Sequence, residues 1–160
     1  MKKVPTDFRR VTMMARHMEP ALKIYRDILG MEAYYDQEIA VTGTGVPTGV
    51  TGARARLVIL KGNDPYIGML GIMQYLDPPL PEPPPRPVPN RVQAGEIVFV
   101  MNNDNVEAAY QKLKDVEGVE IVAEPHVSEF PGKDGGKLHV MGISFFDPNG
   151  YFVDLNQFVE

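Results

Sequence analysis

The sequence predicts an α+β fold built from two modules that share the element order β-α-β-β-β. Two observations support this fold class. A short apolar strand followed by an amphipathic helix occurs twice, and the second copy follows the first at a nearly constant distance: Glu96 lies 86 residues after Arg10, and Gly118 lies 88 residues after Gly30. A proline-rich segment separates the two copies. The chain is therefore an internal repeat, with a two-residue slip predicted between strand and helix.

The first module opens with a predicted strand over 10–15 and continues with a helix. Apolar residues recur at helical spacing from Met18 to Leu29, and Gly30 ends the helix because glycine readily adopts the left-handed conformation found there. Apolar runs bounded by turn residues predict the remaining strands. These runs cover 33–41, 53–60 and 66–76.

The second module repeats this order. A strand is predicted over 96–101, and the following helix buries a stripe that includes Val106, Ala109 and Leu113 before it ends at Gly118. Its three further strands are predicted over 120–123, 138–146 and 151–158. The element order follows from periodicity and turn signals alone.

The segment between the modules carries eight of the fifteen prolines, all between Asp77 and Asn90. Proline fixes φ and donates no hydrogen bond, so this segment can neither pair inside a sheet nor continue a helix. It predicts a stiff, extended connector over 77–93, between a module at 1–76 and a module at 94–160. A polyproline recognition peptide is the alternative interpretation.

Composition limits the partners. The net charge is −5 and the basic residues are scattered, which disfavours a nucleic-acid or anionic-membrane partner. There is no cysteine, so disulfides, thiolate metal sites and a cysteine nucleophile are excluded. The chain opens without the apolar segment of a signal peptide, and no stretch has the length needed to span a bilayer. We expect a cytoplasmic protein whose partner is a small molecule.

Two segments resemble a known superfamily. The helix ends in a Tyr-Arg-Asp-x-Leu-Gly run at 25–30, and the residues from Asp147 to Gly150 form an Asp-Pro-Asn-Gly turn before an alternating strand. Both resemble the vicinal oxygen chelate superfamily of glyoxalases, bleomycin-resistance proteins and extradiol dioxygenases. The resemblance implies that the two modules pair into a cupped, partly open sheet around a pocket. It also implies a divalent metal in many members, and frequent homodimers.

The resemblance places four metal-ligand positions at Arg10, Gly71, Glu96 and Asp154. Guanidinium keeps its proton near neutral pH and offers no lone pair to a metal, and glycine has no side chain. Two carboxylates alone would hold a hard cation weakly. We therefore expect no cofactor, with Glu96 and Asp154 as the ligands if a metal does bind.

Arg10 suggests a hypothesis of its own. If Arg10, Glu96 and Asp154 converge, the guanidinium supplies positive charge where relatives use a metal, and it keeps both acids ionised. The group would then orient a ligand or take part in proton transfer. A salt bridge that only closes the former metal site is an equally weighted alternative.

Strand alternation predicts the residues that share the pocket face with these positions, because residues two apart point the same way. An apolar, methionine-rich lining suits a hydrophobic or aromatic ligand, although the same residues could be core. The predicted ligand-binding residues are Thr12, Met69, Met73, Phe152 and Asn156.

His139 is the predicted general acid or base, because imidazole titrates near neutrality and this residue lies on a strand leading to the Asp-Pro-Asn-Gly turn. A structural role is the alternative, and His126 carries no particular signal. The glycine-rich loop over 42–52 is predicted to be a mobile flap, and the segment 129–136 a second flexible loop.

The predicted function is a metal-independent isomerase or lyase acting on a small, partly aromatic compound. In that case Glu96, Asp154 or His139 moves protons and Arg10 orients a negative group. The alternatives are a non-catalytic binding protein of the bleomycin-resistance kind and a metal-dependent lyase or dioxygenase. A homodimer is expected in each case.

Overall fold

A computed structural model describes residues 3–159. The chain divides between Pro83 and Pro84 into two compact units, and this boundary falls inside the proline-rich segment. Each unit contains one four-stranded mixed sheet.

The first unit places its sheet strands in the order β1-β4-β3-β2. β1 and β4 are parallel, whereas the β3–β4 and β2–β3 pairs are antiparallel. Its elements are β1 (Arg10–Met14), α1 (Met18–Leu22) with a π-helical continuation (Lys23–Ile28), β2 (Glu32–Val41), β3 (Ala53–Lys61) and β4 (Met69–Asp77).

The second unit repeats this topology in the order β5-β8-β7-β6, again with one parallel pair, β5 with β8. Its elements are β5 (Val98–Asn102), α2 (Val106–Leu113), β6 (Glu120–Pro131), β7 (Lys137–Phe146) and β8 (Phe152–Val159). The predicted α+β class and the twofold β-α-β-β-β order are therefore confirmed, and both sheets are open.

The repeat is more regular than predicted. β5 begins at Val98, which lies 88 residues after Arg10, the first residue of β1. The glycines that follow the two helices have the same offset of 88, and both take a positive φ (Gly30 81°, Gly118 84°). The predicted two-residue slip was wrong, because Glu96 precedes the strand and belongs to the end of the connector.

In each unit the helix lies on one side of the sheet, and a glutamine marks that side. Gln157 of β8 accepts a hydrogen bond from the backbone N–H of Val106 at the start of α2 (3.1 Å). Gln74 of β4 donates to the carbonyl of Arg16 just before α1 (2.9 Å). On β4 and β8, the residues an even number of positions from these glutamines, together with the strand residues paired with them, form the helix side. The remaining strand residues form what we call the distal face.

The helix side holds much of the buried core of both units. Fully buried apolar side chains there each contribute roughly 1.5–3 kcal/mol relative to exposure. They include Met13, Leu22, Leu60 and Ile72 in the first unit and Leu113, Ile143, Phe145 and Leu155 in the second.

The same turn joins the last two strands in both units. Asp64 accepts hydrogen bonds from the backbone N–H groups of Tyr66 and Ile67, and these bonds hold the pKa of Asp64 below its ordinary value. In the second unit the buried Asp147 accepts from the N–H groups of Asn149 and Tyr151, at 2.9 Å each. The Asp-Pro turn therefore sets the start of each closing strand.

The proline-rich segment is attached at both ends rather than free. Leu80 packs against the first sheet, and Arg16 contacts both the Leu80 carbonyl and the Glu82 carboxylate. Arg86 is bound to the second unit, as described below. Among residues 3–159 no helix is long and apolar enough to cross a membrane.

Candidate functional site

The distal face of the second sheet carries the polar residues that could meet a ligand. Asp154 of β8 lies near its centre, paired in register with Val100 on one side and Ser144 on the other. Asn156 follows two residues later on the same face, as the predicted alternation requires. Phe152 lies on the same face two residues earlier, edge-on to Phe146 with ring centroids 5.1 Å apart.

A cavity of about 160 Å³ opens on this face. Both polar and apolar side chains line it, so one ligand could contact both kinds. Its lining residues are His126, Ser128, Phe130, Val140, Gly142, Asp154, Asn156 and Phe158.

Gly142 forms part of the wall of this cavity. A Cβ at this position would lie 3.1 Å from Asn156 Oδ1 and 3.8 Å from His126 Cε1. The glycine therefore leaves the space that the amide and the imidazole border from either side. Any side chain at position 142 would push into the cavity or displace Asn156.

The histidine that reaches this cavity is His126, not His139. His126 Nδ1 lies 2.8 Å from the carbonyl oxygen of Glu124. A carbonyl only accepts, so Nδ1 carries the proton and donates, and the lone pair of a neutral imidazole is then on Nε2. This geometry leaves Nε2 as the atom able to exchange a proton with a ligand.

His139 lies elsewhere. It pairs in register with Val159 and Glu129, on the side of β7 opposite to Ser144 and therefore to Asp154. Its Nε2 is 3.4 Å from the Glu129 carboxylate, near the edge of the hairpin. The structure does not bring His139 together with Asp154, because the two residues fall on opposite phases of the strand alternation.

The corresponding position in the first unit shows why it has no carboxylate. Gly71 pairs with Thr12 as Asp154 pairs with Val100. A Cβ on Gly71 would lie 2.5 Å from Thr12 Oγ1. Thr12 thus fills the space above Gly71, and any side chain at position 71 would require Thr12 to move.

Met69 and Met73 flank Gly71 and are buried, each under 5% exposed. They belong to an apolar cluster on the distal face of the first sheet. The cluster comprises Val41, Ala53, Ala55, Leu57, Ile59, Met69, Met73 and Tyr75. Both methionines were predicted to bind ligand, with core as the alternative, and the structure places them in a buried apolar cluster.

The predicted flap over 42–52 covers this cluster. Val46 of the loop and Leu80 of the connector pack against it. The Tyr75 hydroxyl also donates to the carbonyl of Pro47 (3.2 Å). Apolar contacts and a hydrogen bond thus hold the part of the loop around Val46 on the sheet, and its movement as a flap stays a prediction.

The segment predicted as a second flexible loop is mostly a hairpin. β6 extends to Pro131, and Gly132 donates to the carbonyl of Gly136 across the turn (2.7 Å). This longer strand is what carries His126 and Ser128 onto the distal face.

The strand register corrects one of the four implied metal positions. Arg10 pairs with Met69 in the first unit, and Val98 pairs with Phe152 at the equivalent place in the second. The structural equivalent of Arg10 is therefore Val98, not Glu96. The sequence alignment placed it two residues too early because it assigned the strand start to Glu96.

With this correction, only one of the four positions has a side chain able to bind a metal. Arg10, Gly71 and Val98 offer no donor, and Asp154 alone does. Within residues 3–159 no group of three or more histidine, aspartate or glutamate side chains could hold an ion. The residues present do not fit the divalent metal implied by the superfamily.

Glu96 instead binds residues of the connector. It accepts hydrogen bonds from Arg86 (2.8 Å) and from the backbone N–H of Gln93, and these bonds lower its pKa below the ordinary value. Arg86 also donates to the carbonyl of Gly150 (2.6 Å). Glu96 thus lies before the first residue of β5, whereas Asp154 pairs with Val100 inside that strand.

Arg10 lies in the first unit, exposed at the start of β1, and its guanidinium makes no hydrogen bond or ion pair with any residue in the described range 3–159. It shares the distal face with Thr12. Its predicted role beside Asp154 stays a prediction.

The family comparison agrees with this architecture. Residues 8–155 match the family model of the Glyoxalase/Bleomycin resistance protein/Dioxygenase superfamily. The chain therefore belongs to this superfamily, as the resemblance of its sequence indicated. None of the curated proteins compared with the chain matches it.

Solved structures of the same fold are distant in sequence. A glyoxalase family protein from Bacillus cereus superimposes with a TM-score of 0.69 at 13% identity, covering 100% of this chain and 97% of the other. The trypanothione-dependent glyoxalase I of Leishmania major gives 0.59 at 14% identity, with 95% and 86% covered. A glyoxalase/bleomycin resistance protein/dioxygenase from Alicyclobacillus acidocaldarius gives 0.51 at 12%, with 99% and 96% covered. At these identities the likeness shows the fold alone.

Proposed function

We propose that the protein binds a small, partly apolar or aromatic molecule on the distal face of its second sheet, without a metal. The observation that carries this proposal is the cavity of about 160 Å³ bordered by His126, Ser128, Asp154 and Asn156. A cavity of about 150 Å³ can hold a benzene-sized ring. The polar groups would fix the orientation of such a ligand, and the phenyl rings of Phe130 and Phe158 would contact its apolar part.

Proton transfer is the catalytic form of this proposal. His126 and Asp154 line one cavity, so a bound substrate could exchange a proton with either side chain. This supports a metal-independent isomerase or lyase. In the alternative, a non-catalytic binding protein, the same side chains contact the ligand but no proton is transferred. We further propose that the protein acts as a homodimer in the cytoplasm, which light scattering of the purified protein and cell fractionation would test.

Narrowing the cavity tests the location of the site. Gly142→Ala should weaken binding of monocyclic aromatic fragments, measured by NMR titration, because the new methyl group meets Asn156 at about 3.1 Å. Gly136→Ala is the matched control, since a Cβ there meets nothing within 4 Å. Equal fragment affinity in the two variants would contradict this location.

Metal dependence is tested separately. Fragment binding and any isomerase or lyase activity should be the same after chelator treatment and after addition of Ni²⁺, Zn²⁺, Mn²⁺ or Fe²⁺. An activity that appears only with one of these ions would overturn the metal-independent proposal. His126→Gln then separates catalysis from binding, because it should abolish turnover and leave fragment affinity within about threefold.

A further inference from the structure

We infer that the ligand of this cavity is an organic cation: an ammonium or amidinium group attached to an aromatic or alkyl body. The inference rests on the proposed function and names its ligand class. Its basis is the charge and the partners of the residues that line the cavity.

Asp154 is the only carboxylate and the only formally charged side chain among the lining residues, with His126 the one other titratable group. No hydrogen bond or ion pair within residues 3–159 engages the Asp154 carboxylate, although the side chain is half-buried. A carboxylate that accepts nothing from its own chain has its full capacity available for a donor from outside. A cation is the donor that interacts with it most strongly.

Two acids on or beside the sheets show what a paired carboxylate looks like in this protein. Arg56 binds Asp36 with both arms of its guanidinium, at 2.9 and 2.8 Å, and Arg86 binds Glu96 at 2.8 Å. No lysine or arginine lines the cavity around Asp154. Asp154 therefore borders the cavity without a basic counter-ion among the lining residues.

The aromatic part of the lining favours the same ligand class. Phe130 and Phe158 are 51% and 67% exposed, so their rings are open to contact. The face of a phenyl ring is electron-rich and attracts a cation placed over it. The same face of the sheet already shows such a contact, because the Arg86 guanidinium lies 4.2 Å from the centroid of Phe146.

The remaining lining groups accept hydrogen bonds. Ser128 offers a hydroxyl, Asn156 an amide oxygen and, in the tautomer set by Glu124, His126 a ring nitrogen. An ammonium group has three donors and no acceptor, so it can satisfy several of these groups at once. An anionic ligand would instead meet Asp154 as a like charge, and the net charge of −5 would oppose its approach.

Three probes of similar size test the inference: benzylammonium, benzyl alcohol and benzoate. Their dissociation constants and sites are measured on the full chain by ¹H–¹⁵N NMR titration. We expect benzylammonium to bind most tightly and benzoate most weakly, with shifts concentrated at the amides of His126, Gly142 and Asn156. Asp154→Asn should weaken benzylammonium binding about tenfold or more and leave benzyl alcohol unchanged.

Asp115→Asn is the matched control, because it removes the same charge from an exposed position after α2. It should leave all three affinities unchanged. Benzyl alcohol or benzoate binding at the same amides as tightly as benzylammonium would overturn the charge inference and leave the proposed site standing. Equal loss in Asp115→Asn and Asp154→Asn would overturn it as well, since only net charge would then matter. Absence of shifts at these amides with every probe and fragment would overturn the proposed function itself.

Discussion

The two sheets of this protein have the same topology, but their distal faces differ in chemical character. In the first, that face is an apolar cluster covered by Val46 and Leu80. In the second, it is partly open and carries a carboxylate, an amide, an imidazole and hydroxyls. Equivalent places in the two registers carry Gly71 and Asp154, Met73 and Asn156, and Leu57 and Gly142.

The difference shows how a duplicated module can divide structure from function. An apolar face is stabilised when it is shielded from water, and in the first unit the 42–52 loop and the connector shield it. A face with polar groups is already compatible with water and can stay open for a ligand. This contrast favours the second face as the proposed ligand site, whereas the packed first face contributes stability.

The largest change in the free energy of unfolding is expected from exchanging the central residues of the two distal faces, Gly71 and Asp154. Gly71→Asp should lower the free energy of unfolding by about 3–5 kcal/mol, because it drives a Cβ into Thr12 and leaves a carboxylate unpaired among apolar side chains. Asp154→Gly should cost only about 1 kcal/mol, as glycine in a strand does. Denaturant unfolding of both variants measures the contrast.

Gly71→Ala separates the two causes in this exchange, since it adds the steric contact without the charge. It should cost about 1–3 kcal/mol. If Gly71→Asp and Asp154→Gly destabilise the protein equally, the contrast between a packed and an open face is wrong.

A smaller effect is expected from uncovering the first face. Leu80→Ala should destabilise the protein by about 1–2 kcal/mol, less than a fully buried leucine, because Leu80 is only partly buried against the cluster. Phe158→Ala on the second face should change stability by less than about 0.5 kcal/mol, since this ring is 67% exposed. Thermal and denaturant unfolding compare the two; a Leu80→Ala protein as stable as the wild type would show that the cover contributes nothing.

The smallest loss of stability is expected from breaking the Arg86–Glu96 ion pair, which attaches the connector to the second unit. The pKa of Glu96 is lowered in the folded protein, so its contribution to stability is present above its ordinary pKa of 4.5 and is lost as pH falls through the lowered value. Glu96→Gln should therefore destabilise the protein near neutral pH, and the difference from wild type should vanish in acid. Because both side chains are partly exposed (23% and 35%), the loss should stay below about 1 kcal/mol.

Unfolding curves between pH 3 and 7 measure this effect. Glu117→Gln is the control, as this exposed residue has no ion pair among residues 3–159. A stability difference for Glu96→Gln that does not change with pH would contradict the assignment to this ion pair.

Most of the fold could be predicted because its signals are local. Gly30 and Gly118 end the helices through their positive φ, and the Asp147 turn starts β8 through hydrogen bonds to its own neighbours. The largest exception is β6, predicted to end at Ala123 but extending to Pro131. The ladder is irregular between Ala123 and His126, next to Pro125, and the interruption hid the strand that continues beyond it.

The candidate site was predicted only in part. Asp154, Asn156 and Phe152 were placed on the right face, because strand alternation is a local rule. His126 was missed because its strand was predicted to end at Ala123, before the irregularity that separates Ala123 from His126. Glu96 was predicted to lie on the pocket face because it directly precedes an apolar run and was predicted to be the first residue of that strand. Its ion pair with Arg86 could not be recognised from the sequence.

The sequence by itself determined the βαβββ repeat, the superfamily and the missing metal donors at Arg10 and Gly71, since these depend on short-range pattern and on side-chain chemistry. Only the tertiary structure decided which of the two equivalent faces is covered and which is open. That outcome depends on where a loop and a connector come to rest, and on the register that sets Thr12 over Gly71 and Val100 beside Asp154. Contacts between residues so far apart in the chain leave no periodic signal in the sequence.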